Sequence, residues 1–168
     1  HLRTELGLRA FAAGKHVLTE KPVAMNATEV KQLIAAQGER TGACCSSRYQ
    51  FLEASRIAKE FIGSGELGAL RLLRCRAIVP AGPLPQKAPP PWRLNRSLNG
   101  GGILMNWGCY DLDYMLGITG WSLKPQTVLA ETWSVPKAYS AYADPGSDAE
   151  THVTALIRCK EGVAITYE

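Results

Sequence analysis

A helix stop, a short strand and a proline succeed one another within nine residues, Gly14-Lys15-His16-Val17-Leu18-Thr19-Glu20-Lys21-Pro22, and this order leaves the chain few ways to fold. Leu6, Ala10 and Ala13 fit the apolar side of a helix, and Gly14 is the residue favoured just beyond a helix end. His16-Val17-Leu18-Thr19 is the short, partly β-branched run of a parallel strand, and Pro22, which has no N–H to give a ladder, closes it. Lys21 therefore stands at the carboxyl end of a strand, the edge at which open α/β sheets bind their ligands. The proline also allows a cis Lys21-Pro22 bond. Asn26 followed by Glu29 three residues later reads as a capping box, opening a second helix through Val30, Leu33 and Ile34 to about Gly38.

Beyond this unit, Ala54, Ile57, Ala58, Phe61 and Ile62 recur at helical spacing up to Gly63. From Leu73 to Val79 the residues alternate, with Leu73, Cys75, Ala77 and Val79 on one side and Arg74 and Arg76 on the other. Prolines at 80, 83, 85, 89, 90 and 91 then forbid regular structure as far as Trp92, and a loop of that length points to function or disorder. Gly100-Gly101-Gly102 permits a sharp turn or a close backbone approach before a helix that carries Asn106, Tyr110 and Asp113. Steps of four and three place those three polar groups on one helical face. Ile103, Leu104, Trp107, Leu112, Met115 and Leu116 supply the buried remainder. Thr127–Val135, His152–Cys159 and Val163–Tyr167 read as strands, the last two joined by a hairpin at Lys160-Glu161-Gly162, which favours an antiparallel sheet. Between them, Pro136 to Asp148 holds Tyr139, Tyr142 and an Asp-Pro-Gly turn with no assignable role. His152 has no partner in sequence and reads as structural.

Of the residues, 46% are hydrophobic and 20% charged, and no apolar run approaches the ~18 residues of a membrane span. The net charge of +4 comes from scattered Lys and Arg, which implies neither nucleic acid nor membrane. Five cysteines without a C-x-x-C pair support neither a zinc site nor a disulfide framework, and a reducing, cytoplasmic setting is expected. Cys44 and Cys45, in the apparent strand before Ser46, read as small buried hydrophobes.

The segment AGKHVLTEKPVA resembles the Glu-Lys-Pro signature of the glucose-fructose oxidoreductase and inositol dehydrogenase family, Gfo/Idh/MocA. Arg48-Tyr49, the Gly63–Gly68 link, Trp92-Arg93 and GGGILMNWGCYDLDYMLGITG at 100–120 follow in the family's order and spacing. The resemblance implies an α/β plus α+β chain. Residues 1–47 form the C-terminal remnant of a Rossmann-like dinucleotide-binding domain. Residues 48–168 form a substrate and oligomerisation domain with a largely antiparallel open sheet and helices on one face. The chain is then expected to be the interior of a longer protein. It begins with His1, no Gly-x-Gly-x-x-Gly turn precedes the first helix, and a strand pattern runs to Glu168. An independent small domain is the alternative.

By the same resemblance, the cofactor is NAD or NADP, contacted by Glu20, Lys21, Pro22, Trp92 and Arg93, with no metal. From the loop residues alone, Trp92 anchoring the loop on the core with Arg93 exposed remains open. The substrate implied is a sugar, cyclitol or related polyol, bound by Lys21, Asn106 and Tyr110, and the full-length protein is expected to be a homo-oligomer through its C-terminal sheet. The reaction implied is hydride transfer between nicotinamide and a secondary hydroxyl or carbonyl. Lys21 polarises the oxygen, Tyr110 passes the proton, Asn106 holds a neighbouring hydroxyl, and Asp113 braces the helix or Tyr110. Many members have Asp and His where this chain has Asn106 and Tyr110. Asn cannot titrate, and the phenol is expected to be lowered from its reference value near 10 by the Lys21 ammonium. Two alternatives stay open: a catalytically silent nucleotide- and sugar-binding relative, and a hydrolase or lyase using tightly bound NAD. A cysteine nucleophile lacks a neighbouring His in sequence.

Overall fold

A computed structural model describes residues 1–79, 82–84, 86–87, 90–134 and 146–168. The first helix, α1 (Arg3–Ala12), stops before Gly14, whose φ of 73° is the left-handed conformation that glycine tolerates. The strand β1 (Val17–Thr19) follows at once, and the Lys21-Pro22 bond beyond it is cis. Helix α2 (Ala27–Gln37) is capped as its sequence indicates, with the Glu29 N–H donating to Asn26 Oδ1 at 3.0 Å. The Glu29 carboxylate, however, reaches Met25 N–H and the Thr4 hydroxyl, which ties the second helix to the first. Parallel pairing of β1 with β2 (Gly42–Cys44) completes this part, over a core of Phe11, Ala24 and Leu33.

Cys45 already belongs to a 3-10 segment, Cys45–Phe51, rather than to the strand. Helix α3 (Glu53–Ser64) passes through Gly63 and ends at Gly65, with φ of 82°. The strand expected over residues 73–79 is shorter: β3 spans Leu72–Cys75, and Ile78 and Val79 lie exposed beyond it. An unforeseen helical turn, α4 (Arg96–Asn99), stands before the glycines, capped by Asn95. The chain then winds as a π-helix over Leu104–Gly108 and continues as α5 (Cys109–Ile118).

Three strands follow, β4 (Pro125–Trp133), β5 (His152–Cys159) and β6 (Ala164–Tyr167). The last two join through Gly162, whose φ of 80° suits only glycine in the tight turn. The sheet order is β3-β6-β5-β4, antiparallel at both later pairings and parallel between β3 and β6, so it is mixed and mainly antiparallel. Val153, Ile157 and Ile165 on one face pack with Met115 of α5, and Ile165 is 1% exposed. Burying a side chain of that size removes apolar area worth roughly 1.5–3 kcal/mol from water. Register places Leu129 opposite Leu156 on the other face, which no helix among the described residues covers. Tyr139, Tyr142, Val135 and the prolines at 80, 85 and 89 lie outside the described residues. Among the described residues no helix is long and apolar enough to cross a membrane.

Candidate active site

The two parts of the chain meet at Lys21. Its position just past β1 directs the side chain onto the π-helical turn, where Nζ donates to Asn106 Oδ1 at 2.7 Å and to the Asn106 backbone carbonyl. An ammonium carries three N–H donors, so one remains for a ligand oxygen. The Asn106 carbonyl also accepts a long contact of 3.9 Å from Cys109 Sγ.

The ammonium lies over the Tyr110 ring, 4.9 Å from its centroid, and 5.7 Å from that of Trp107. Arg48, on the 3-10 segment, brings its guanidinium carbon 4.0 Å from the Tyr110 centroid and 5.1 Å from that of Tyr49. Tyr49 and Trp107 tilt against Tyr110 with centroids 5.4 and 5.8 Å away. Two cations thus share one aromatic ring, an arrangement in which the ring's negative face supports each charge by about 0.5–2 kcal/mol.

Tyr110 is only 5% exposed, and the expectation of a lowered phenol is corrected here. Burial pushes the Tyr110 phenol up from its ordinary value, and the downward pull comes from Arg48 rather than Lys21. Lys21 meets the face of the ring, where it stabilises the ammonium. Burial likewise pushes the Cys109 thiol up, the opposite of what a thiolate nucleophile requires.

Asp113 turns elsewhere. Its carboxylate and its backbone carbonyl both accept from Gln50 Nε2, at 2.9 and 2.7 Å. It therefore fastens the segment carrying Arg48 and Tyr49 to α5, and reaches the site through Gln50. The π-helical turn interrupts the regular spacing on which a single polar face over Asn106, Tyr110 and Asp113 depended. Trp107, expected to be buried, is half-exposed on the rim of the cluster.

The residues expected at a cofactor divide. Pro22 and Trp92 line one cleft of about 330 Å³, together with Ala24, Met25 and Asn99. Arg93 is exposed and enters the loop through its backbone, its carbonyl accepting from Asn99 Nδ2. Glu20 folds back to accept the Lys21 backbone N–H at 3.1 Å. His152 stacks on Trp133 on the uncovered sheet face, with centroids 5.3 Å apart.

Sequence reasoning passed over Glu150. This carboxylate is 8% exposed and accepts from the Gly102 and Leu104 backbone N–H groups, at 2.8 and 3.4 Å, while its own carbonyl accepts from Ile103 N–H. The free amides that open the Asn106 helix are thereby satisfied. A Cβ on Gly102 would lie 1.8 Å from the Glu150 carbonyl oxygen, which explains the last glycine of the triplet. Arg48-Tyr49 is visible as a motif, but its contact with Tyr110 depends on packing across 62 residues of chain.

Both parts of the chain resemble known proteins. Residues 1–49 match the NAD-binding Rossmann fold of the oxidoreductase family, and residues 55–168 match the GFO/IDH/MocA C-terminal domain. Levoglucosan dehydrogenase of Pseudarthrobacter phenanthrenivorans is 28% identical over 134 residues, covering 79% of this chain and 34% of that protein. The 1,5-anhydro-D-fructose reductase of Ensifer adhaerens is 32% identical over 114 residues, covering 67% and 33%. The chain thus spans about a third of the length of the curated relatives it matches. Among solved structures, the aldose-aldose oxidoreductase from Caulobacter crescentus complexed with glycerol superposes with a TM-score of 0.77 at 29% identity, over 99% of this chain and 46% of that one. An oxidoreductase domain protein from Kribbella flavida gives 0.81 at 23% identity over 99% and 44%, a likeness of fold. The chain belongs to the GFO/IDH/MocA family of oxidoreductases.

Proposed function

We propose that the protein containing this chain is an NAD- or NADP-dependent oxidoreductase that transfers a hydride between nicotinamide and a secondary hydroxyl or carbonyl of a sugar, cyclitol or related polyol. Residues 1–47 close its dinucleotide domain, and residues 48–168 carry the substrate and, through the sheet face that no described helix covers, a second subunit. The observation that carries this reading is the placement of Lys21, bonded to Asn106, over the Tyr110 ring.

Pro22 and Trp92 are proposed to hold the nicotinamide nucleotide, with Glu20 and Arg93 at its margin. The indole and the pyrrolidine offer flat apolar faces to their shared cleft, which His1, Arg3, Thr4 and Asn99 also line. When bound, nicotinamide supplies the site that accepts or gives the hydride. The protein's part is positioning and charge. Lys21 donates its third N–H to the reacting oxygen and stabilises the negative charge that develops there. Asn106 keeps its amide N–H₂ for a neighbouring hydroxyl, since its oxygen is engaged with Lys21. Tyr110 gives or takes the hydroxyl proton. Its raised phenol keeps it a donor at neutral pH and suits it to carbonyl reduction.

The same raised phenol, beside an Asn that cannot titrate, also favours a second reading, a silent relative that binds nucleotide and sugar without turnover. Steady-state assay of the full-length protein on a panel of polyols and their ketones separates the two. Reduced cofactor formed or consumed in step with product supports the oxidoreductase; saturable binding without turnover supports the silent relative.

A further inference from the structure

We propose that the sugar taken by this site is an acid: Arg48 binds its carboxylate while Lys21 holds the hydroxyl that reacts. The inference rests on the oxidoreductase reading and adds a substrate class to it.

The argument is one of uncompensated charge. Both of Lys21's protein partners, the amide oxygen and the backbone carbonyl of Asn106, are neutral. Arg48 rests on two aromatic rings and, among the described residues, donates only a long hydrogen bond of 3.4 Å to the Tyr49 hydroxyl. Among the described residues neither cation forms an ion pair. The acids nearby in sequence are engaged: Asp113 with Gln50, Asp111 with the Tyr167 hydroxyl at 2.9 Å. Glu20, turned to the Lys21 backbone, is the carboxylate within electrostatic reach of both Arg48 and Tyr110. Lys21 and Arg48 against Glu20 leave one positive charge at the site, which matches a carboxylate better than a phosphate dianion.

Geometry adds to charge. Arg48 is exposed, and its guanidinium carbon rests 5.1 and 4.0 Å from the Tyr49 and Tyr110 ring centroids. A planar fork held in this way presents paired N–H donors to a carboxylate. Lys21 and Arg48 lie 4.9 and 4.0 Å from the one Tyr110 centroid, a closeness on the scale of a single sugar that offers a hydroxyl to Lys21 and its acid end to Arg48.

The test uses the full-length protein, wild type and Arg48→Gln, with calorimetric titration of gluconate, galactonate, glucuronate and galacturonate against glucose, galactose and glucose 6-phosphate. At least one acid is expected to bind roughly tenfold or more tighter than its neutral parent, the value of a charged hydrogen-bonded pair, and Arg48→Gln is expected to bring that ratio near one. Equal binding of acids and neutral sugars, a preference that survives Arg48→Gln, or tighter binding of the phosphate overturns the proposal. Parallel absorbance assays with the oxidised and the reduced forms of both nicotinamide cofactors, on these sugars and their ketones, report on the underlying reading alone. An acid preference with nicotinamide neither reduced nor oxidised contradicts hydride transfer and leaves the acid site standing.

Discussion

At the scale of the residue, Tyr110 is where packing and chemistry pull against each other. A buried phenol resists ionisation because the charged form loses its water. Arg48 faces the ring and moderates that cost. In the oxidation direction, kcat/KM is expected to keep rising beyond pH ~10, the ordinary phenol value, because deprotonated Tyr110 accumulates only above it. Tyr110→Phe is expected to remove that limb and to lower kcat about 10²–10⁴-fold. A profile that levels off below pH ~8 in the parent would locate the proton transfer elsewhere. Tyr167 shows the same physics in a structural role. Burial and its bond to Asp111 hold the phenol well above its usual range. The folded state therefore keeps protons that the unfolded chain releases above pH ~10, so this contribution to stability is present below that pH and is lost as pH rises through it. Denaturant melts of Tyr167→Phe are expected to show a flatter alkaline loss than the parent.

At the scale of the element, the helix bearing Asn106 is positioned from its start. Glu150 occupies the free amides of Gly102 and Leu104, and Gly102 lets the two backbones touch. Gly102→Ala places a methyl 1.8 Å from a backbone oxygen, a clash that no rotamer relieves, and is expected to cost about 3 kcal/mol or more in urea unfolding. Glu150→Gln keeps the shape with a weaker acceptor and is expected to cost about 1–2 kcal/mol. If both variants melt like the parent, the helix start is not held as described. Legibility in the sequence follows the same division. Gly14, Pro22 and the Asn26–Glu29 cap act on their immediate neighbours, and α1, β1 and α2 were accordingly readable from residues in a row. The π-helical turn, the Glu150 anchor and the Arg48–Tyr110 contact join residues distant in sequence, and no local pattern marks them. The alternation from 73 to 79 is paired with β6 only as far as Cys75 opposite Tyr167, and beyond it Ala77 N–H still donates to the Glu168 carbonyl.

At the scale of the whole molecule, the sheet has one face packed against α5 and one face that no helix among the described residues covers. Leu129, 75% exposed, pairs in register with Leu156, and Trp133 with His152, forming apolar positions on the uncovered side. Water-exposed apolar positions in register across strands suit a second subunit better than solvent. The full-length protein is expected to run as a dimer or larger in sedimentation, and the paired variant Leu129→Glu, Leu156→Glu is expected to shift it toward monomer. A parent that sediments as a monomer at micromolar concentration contradicts this use of the sheet.

The central claim is that Lys21, held by Asn106 over Tyr110, acts on the substrate oxygen rather than on the fold or the nucleotide. The most direct measurement titrates the full-length parent and its Lys21→Ala variant with NADH and NADPH by nicotinamide fluorescence, and follows turnover of both on a polyol panel. Nucleotide Kd is expected to change less than about threefold while kcat falls roughly a hundredfold or more. Equal losses in binding and turnover would make Lys21 a structural residue, and failure of the parent to bind either nucleotide would contradict the account as a whole.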